Sequence, residues 1–185
     1  MNGSILQFND HVRDLGVYHD SRLKYDHHVS LIAHKAYKRM VLILKCFHSR
    51  NFEVLKFAFC VFVRPLLEFA SQVWSPHYKY LIDKVESVQR FFTRTISGIR
   101  DLPYADRLKN LGLETIERRR LVHDLVFIYK ILHGLRDVSL SITFAKSSTR
   151  GNILKLVKPG CRCDIRKYFL VAELSTFGIL FLILL

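Results

Sequence analysis

Val63-Arg64-Pro65-Leu66-Leu67-Glu68-Phe69-Ala70-Ser71-Gln72-Val73-Trp74-Ser75-Pro76 joins two long segments of helical apolar periodicity and holds the lone tryptophan. Proline has a fixed φ and no N–H, so Pro65 either kinks one helix or starts the next. Leu66, Leu67, Phe69 and Ala70 make an apolar face in which Glu68 is the odd member. Arg64, one turn before Glu68, reads as its structural partner. Trp74 and Pro76 end the run, because a residue before proline is pushed out of the α region. The stretch reads as a helix–helix corner with a core tryptophan, and the chain as mainly α.

Upstream, Asn51 can cap a helix over Phe52–Val63 that is apolar nearly all round, which predicts a buried core helix. That run is well short of the ~20 residues a bilayer span requires. Before it, Asp26 can cap a helix to about Phe47. Val29, Ile32, Ala33, Ala36, Met40, Ile43 and Leu44 form its apolar stripe, and His34, Lys35, Lys38, Arg39 and Lys45 its other side. That basic side suits a phosphate backbone or plain solvent. Residues 1–26 read as a short β-hairpin: Ile5, Leu6 and Phe8 in one strand, Val12, Leu15 and Val17 in the other, with Asn9-Asp10 turning between. Gly16 inside the second run suggests a bulge or a close backbone approach.

Downstream, Leu81, Ile82, Val85, Val88, Phe92, Ile96 and Ile99 point inward on a third helix, with Lys84, Arg90 and Arg94 outward and Gly98 placed to stop it. Tyr104 to Leu111 is a short helix ended by Gly112. Thr115 to His133 is a long one closed by Gly134. It opens on Glu117-Arg118-Arg119-Arg120, and positive charge at a helix start opposes the dipole by up to about 1 kcal/mol. Compensation comes from Glu114 and Glu117 or from an external phosphate. Arg120 lies closer to the apolar face. The expected organisation is a hairpin over 1–26, a helical bundle over 27–135, and an irregular tail over 136–185 with a serine-rich linker, basic residues and an apolar end.

A net charge of +13 and a pI near 9.8 point to a polyanionic partner, either nucleic acid or an anionic membrane surface. Cys46, Cys60, Cys161 and Cys163 make no disulfide framework and no zinc pattern, which predicts free thiols in a reducing compartment and no metal site. There is no Walker-type loop and no Asp-Asp pair. The apolar run Phe177 to Leu185 is too short to cross a bilayer, and Glu173 would burden a longer span. Membrane anchoring is therefore the lesser reading of that end.

Four separated blocks carry a resemblance. Arg13-Asp14-Leu15-Gly16-Val17, the Val63–Pro76 corner, Val85-Glu86-Ser87-Val88-Gln89-Arg90-Phe91-Phe92 and Asp124-Leu125-Val126-Phe127-Ile128-Tyr129-Lys130 occur in the order seen downstream of the catalytic core in reverse transcriptases of non-LTR (LINE, jockey-like) retrotransposons. The resemblance covers about the first three quarters of the chain. It implies that Leu15, Gly16 and Val17 lie at a primer-grip-like hairpin, and that a helical thumb follows. The partners it implies are an RNA/DNA primer–template duplex and an upstream palm and fingers. Lys35, Lys38, Arg39, Arg90, Arg94, Arg118 and Arg119 are the candidate phosphate contacts; Arg64, Pro65, Glu68, Trp74 and Pro76 are structural. The family's paired catalytic aspartates precede the Asp-Leu-Gly-Val block, so this chain is expected to begin after them and to lack polymerase activity alone. Magnesium is expected only in the complete polymerase. The family's later Trp-Asn-x-Leu-Pro motif is missing, which suggests a frame change or truncation near Ala172. The alternative function is a non-enzymatic helical interaction protein or a tail-anchored relic. The expected location is intracellular, in cytoplasm or nucleus.

Overall fold

The computed structural model describes residues 9–47 and 51–136. The Ile5–Phe8 run, the linker, the basic tail with Cys161 and Cys163, and the apolar end lie outside the described residues. The chain divides into two compact units, residues 1–117 and 118–185, the division falling just inside the last described helix. It is mainly helical, with one antiparallel hairpin at the start of the described chain.

The hairpin pairs β1 (His11–Asp14) with β2 (Val17–Asp20), Asp14 opposite Val17 and His11 opposite Asp20. Its two-residue turn is Leu15-Gly16, at φ 43° and 93°, and not the expected Asn9-Asp10. Positive φ at both central residues matches the right-handed twist of the strands. Gly16 is thus a turn residue and not a bulge. A Cβ on Gly16 would stand 3.5 Å from the Phe69 ring, an ordinary contact, so the positive φ and not a close approach is what favours glycine there. Val17 is buried in the core, whereas all of β1 is exposed.

Helix α1 runs Asp26–Cys46. Asp26 is not its cap. Tyr25 occupies that position in the left-handed region (φ 62°), with no side-chain cap bond. Asp20 orders the entry instead, its carboxylate accepting from the N–H groups of Arg22 (2.9 Å), Lys24 (3.1 Å) and Tyr25 (3.0 Å). Asp26 stands one residue later, where negative charge favours the helix dipole, and accepts from the Tyr80 hydroxyl.

Helix α2 (Phe52–Ala58) starts as expected, with the Asn51 side chain accepting from Glu53 N–H at 2.9 Å. It passes into a π-helical turn, Phe59–Val63, and then α3 (Arg64–Glu68). A proline ring collides with the carbonyl four residues back and cannot donate to it. The wider turn before Pro65 resolves this, with Arg64 N–H bonding to the Phe59 carbonyl. Pro65 therefore continues a widened helix. Ala70, at φ 52°, then reverses the chain into the short α4 (Ser71–Trp74). Trp74 is fully buried, and its indole N–H donates to the Phe69 carbonyl at 2.7 Å.

The expectation that Phe52–Val63 is buried all round is corrected. Leu55, Ala58, Phe59 and Val63 are buried, but Phe57 is 68% and Phe62 50% exposed. One side of this helix has no cover among the described residues.

Helix α5 (Lys79–Arg94) lies parallel to α1 in a fixed register. Tyr80 meets Asp26, and Lys84 donates to the Ser30 hydroxyl at 2.8 Å, each pair 54 residues apart. Tyr37 and Phe91 continue the register with an edge-to-face contact at 5.1 Å. The core gathers Val29, Ala36 and Met40 of α1, Phe59, Leu67 and Trp74 of the corner, and Leu81, Val85, Val88 and Phe92 of α5. Phe59 stacks on Phe92 at 4.3 Å. Helix α6 (Tyr104–Leu111) ends at Gly112 in the left-handed conformation, as its sequence predicts, and α7 (Ile116–Leu132) follows. Among the described residues no helix is long and apolar enough to cross a membrane.

Candidate nucleic-acid interface

The parallel register sets the geometry of the basic residues. Residue n of α1 lies beside residue n+54 of α5, so Lys35, Lys38 and Arg39 stand at the same level along the pair as Arg90 and Arg94. Tyr37 and Phe91, each 40% exposed, sit between the two helices at that level. Lys35, Lys38, Arg39 and Arg94 are exposed, and none has a carboxylate within 4 Å among the described residues. Arg90 differs, since it pairs with Asp83 at 3.3 Å, a carboxylate that also meets Lys79 at 3.7 Å. Exposed cations and partly exposed rings at one level along the helix pair are of the kinds that contact phosphates and bases.

Arg118 and Arg119 belong to the second compact unit, where Arg118 is exposed and Arg119 half-buried. Arg120 is buried, as is Asp124 one turn later on the same helix face, in keeping with a structural role. Arg64 and Glu68 pair at 3.9 Å, both largely covered. Pro76 and Trp74 are core residues. Of the primer-grip-like trio, Leu15 is 89% exposed at the hairpin tip, Gly16 makes the turn and Val17 enters the core.

The hairpin is held to α1 through an unforeseen residue. His28 is 2% exposed, its Nδ1 accepts from Tyr18 N–H at 3.3 Å, and its ring meets Trp74 edge-on at 5.1 Å. Nε2 has no partner among the described residues. Burial, aided by His19, Lys35 and His27, pushes its pKa down to about 4. A histidine at an apolar-stripe position was the available signal.

Sequence reasoning also missed the polar interior between α5 and α6. Glu86 is 4% exposed and accepts from the Tyr104 hydroxyl, from Gln89 Nε2 (3.4 Å) and from Ile116 N–H (2.9 Å). Burial, then the bond to Glu86, raises the Tyr104 pKa well above the usual phenol range. Gln89 Nε2 also donates to the Glu114 carbonyl at 2.8 Å and lies 3.0 Å from the Tyr104 hydroxyl. The guanidiniums of Arg90 and Arg107 both pack on the Tyr104 ring, at 5.3 and 5.4 Å. Helical spacing gave the signal, since Glu86, Gln89 and Thr93 share the inward face with Val85 and Phe92.

A shallow cleft of about 580 Å³ lies at the hairpin, lined by Asp10, Asp20, Asp26, Arg22, Lys24, His11 and His27 among others. Its mixed charge favours neither sign of ligand. No cluster of histidine, cysteine and carboxylate side chains among the described residues could hold a metal ion.

The chain is 27% identical over 126 residues to an uncharacterised protein of Caenorhabditis elegans, a match covering 66% of this chain and 64% of the relative. The chain thus matches just under two thirds of that relative's length. No family model matches, and no solved structure matches significantly.

Proposed function

We propose that this chain grips a nucleic-acid duplex through its phosphate backbone, without base specificity, as a non-catalytic thumb-like region resembling that of a non-LTR retrotransposon reverse transcriptase. One observation carries the reading. Lys35, Lys38, Arg39 and Arg94 are exposed, unneutralised by carboxylates among the described residues, and level with an exposed Tyr37–Phe91 pair. Unpaired cations repel one another, and a polyanion relieves that repulsion while releasing counterions. The primer–template duplex of the parent polymerase is the partner. Palm and fingers, with their magnesium, belong to the complete enzyme, so no polymerisation is attributed to this chain.

Fluorescence anisotropy with a short RNA–DNA duplex over a salt series tests this. Affinity should fall steeply with salt, and the Lys35→Ala/Lys38→Ala/Arg39→Ala variant should lower the log–log slope by about 2 to 3. Binding that is flat with salt overturns the proposal.

The exposed apolar side of residues 57–73 supports a second reading, a helical interaction protein. Phe57, Phe62, Phe69 and Val73 are each at least 45% exposed, and exposed large apolar side chains can mark an interaction surface. Under the first reading, that side packs against the polymerase palm. Absence of duplex binding together with concentration-dependent self-association would favour the second.

A further inference from the structure

The seam between α1 and α5 changes character along its length. At its start the contacts are polar: the Tyr80 hydroxyl donates to Asp26, and Lys84 donates to the Ser30 hydroxyl at 2.8 Å. Two turns beyond Lys84 the contact is aromatic. Tyr37 and Phe91 meet at 5.1 Å with their planes 62° apart, and each stays 40% exposed. An edge-to-face pair uses one face of one ring and an edge of the other, so π surface remains for a third planar group. Helical spacing sets what surrounds the rings. On α5, Ser87 precedes Phe91 by one turn and Arg94 follows it by one; on α1, His34 precedes Tyr37 by one turn and Lys38 adjoins it. All four are exposed, as is Lys84. No carboxylate lies within 4 Å of Lys38, Lys84 or Arg94 among the described residues. The acids of the two helices are placed elsewhere. Asp26 lies three turns before Tyr37 and takes the Tyr80 hydroxyl, Asp83 is shared by Lys79 and Arg90, and Glu86 is buried.

Packing of the seam alone does not call for these residue types. Aliphatic side chains would close the same gap, and no cation need stand beside them. Nucleobases offer a flat face to aromatic rings, and their strand carries a phosphate on either side of each base. We propose that Tyr37 and Phe91 take one unpaired base of a nucleic-acid strand, while Lys38, Lys84 and Arg94 hold its neighbouring phosphates. A paired base inside a duplex is stacked on both faces and offers neither to the rings. The contact therefore selects a single-stranded overhang. It accepts any base, because stacking reads a π face and not a hydrogen-bond pattern. This site rests on the function proposed above and extends it, since a phosphate grip is indifferent to base pairing and the rings are not.

The test uses the full chain and three probes at one salt concentration: a blunt RNA–DNA duplex, the same duplex with a four-thymidine overhang, and the same duplex with a four-residue abasic overhang. The two overhangs carry equal phosphates and differ only in their bases. Fluorescence anisotropy should show the thymidine overhang bound about tenfold more tightly than the abasic one. In the Tyr37→Leu/Phe91→Leu variant, which keeps an apolar seam without its π faces, that ratio should fall to about one. The ratio in the wild-type chain is read without any variant, so the site remains testable if the double substitution does not fold. Equal affinity for the two overhangs in the wild type overturns the site. So does a preference for thymidine that survives in the leucine variant. Binding of all three probes with equal affinity removes the ring site and leaves the phosphate grip standing, whereas binding of none removes both.

Discussion

Helix α5 and the segment from Phe52 to Val73 break the rule of apolar inside and polar outside in opposite directions. Helix α5 buries Glu86, Gln89 and Thr93, and each is hydrogen-bonded. The earlier segment leaves Phe57, Val61, Phe62 and Phe69 in solvent while burying Leu55, Phe59, Val63 and Leu67. A buried polar group without a partner costs about 1–3 kcal/mol, so the interior of α5 must be closed by specific donors and acceptors. Exposed apolar side chains carry no such requirement, and folding alone leaves them uncovered. The first region therefore meets most of its hydrogen-bonding demand from its neighbours, Gln89 Oε1 being left without a partner among the described residues, whereas the second keeps apolar side chains exposed.

The largest expected effect contrasts two phenylalanines three residues apart. Phe59→Ala removes a fully buried ring stacked on Phe92 and should cost about 3–5 kcal/mol in urea unfolding. Phe62→Ser, on the exposed side, should change stability by about 0.5 kcal/mol or less and reduce self-association in light scattering. Equal losses from the two would erase the distinction between the faces.

On α5, Glu86→Ala strands the Tyr104 hydroxyl and the Ile116 N–H and should cost about 2–4 kcal/mol. Thermal and urea unfolding of this variant and of Glu86→Gln check it, the glutamine being the milder because it keeps an acceptor. If Glu86→Ala is neutral, the network does not close the interior.

His28 adds a pH dependence. Its folded pKa of about 4 lies below the unfolded value near 6.5, so the unfolded chain binds the extra proton first. Its contribution is fully present above pH 6.5 and is lost as pH falls to about 4, a change of up to about 3 kcal/mol. Urea midpoints between pH 4 and 7 should show this slope in the wild type and a shallower one in His28→Asn.

The smallest effect lies at the corner. Arg64→Ala should cost about 0.3–0.5 kcal/mol in a double-mutant cycle with Glu68→Ala, as expected of an i,i+4 pair at 3.9 Å.

Much of the architecture was legible because helical signals are local. The Asn51 cap, the Gly112 stop, the apolar stripe of α1 and the buried Trp74 follow from neighbouring residues alone. The hairpin turn at Leu15-Gly16 is not visible in the local sequence because leucine at φ 43° is rare. Leu15 is held there by the pairing of Asp14 with Val17, a contact outside the turn itself. Asp26 looks like a cap from its neighbours alone, because the bonds that order the entry come from Asp20, up to five residues of irregular chain away.

The candidate interface divides in the same way. The positively charged helix faces can be counted from sequence, since periodicity assigns a side chain to a face. Neither the parallel alignment of α1 with α5 nor the packing of Arg90 and Arg107 on the Tyr104 ring can be, because each depends on how separate elements pack. By itself the sequence determined which segments are helical, where most of them stop, and that the chain is strongly basic. Only the tertiary structure decided which apolar face is buried, which carboxylates are spent on neighbours, and which cations are left over. Those outcomes depend on desolvation and on distances between elements, which no local pattern encodes.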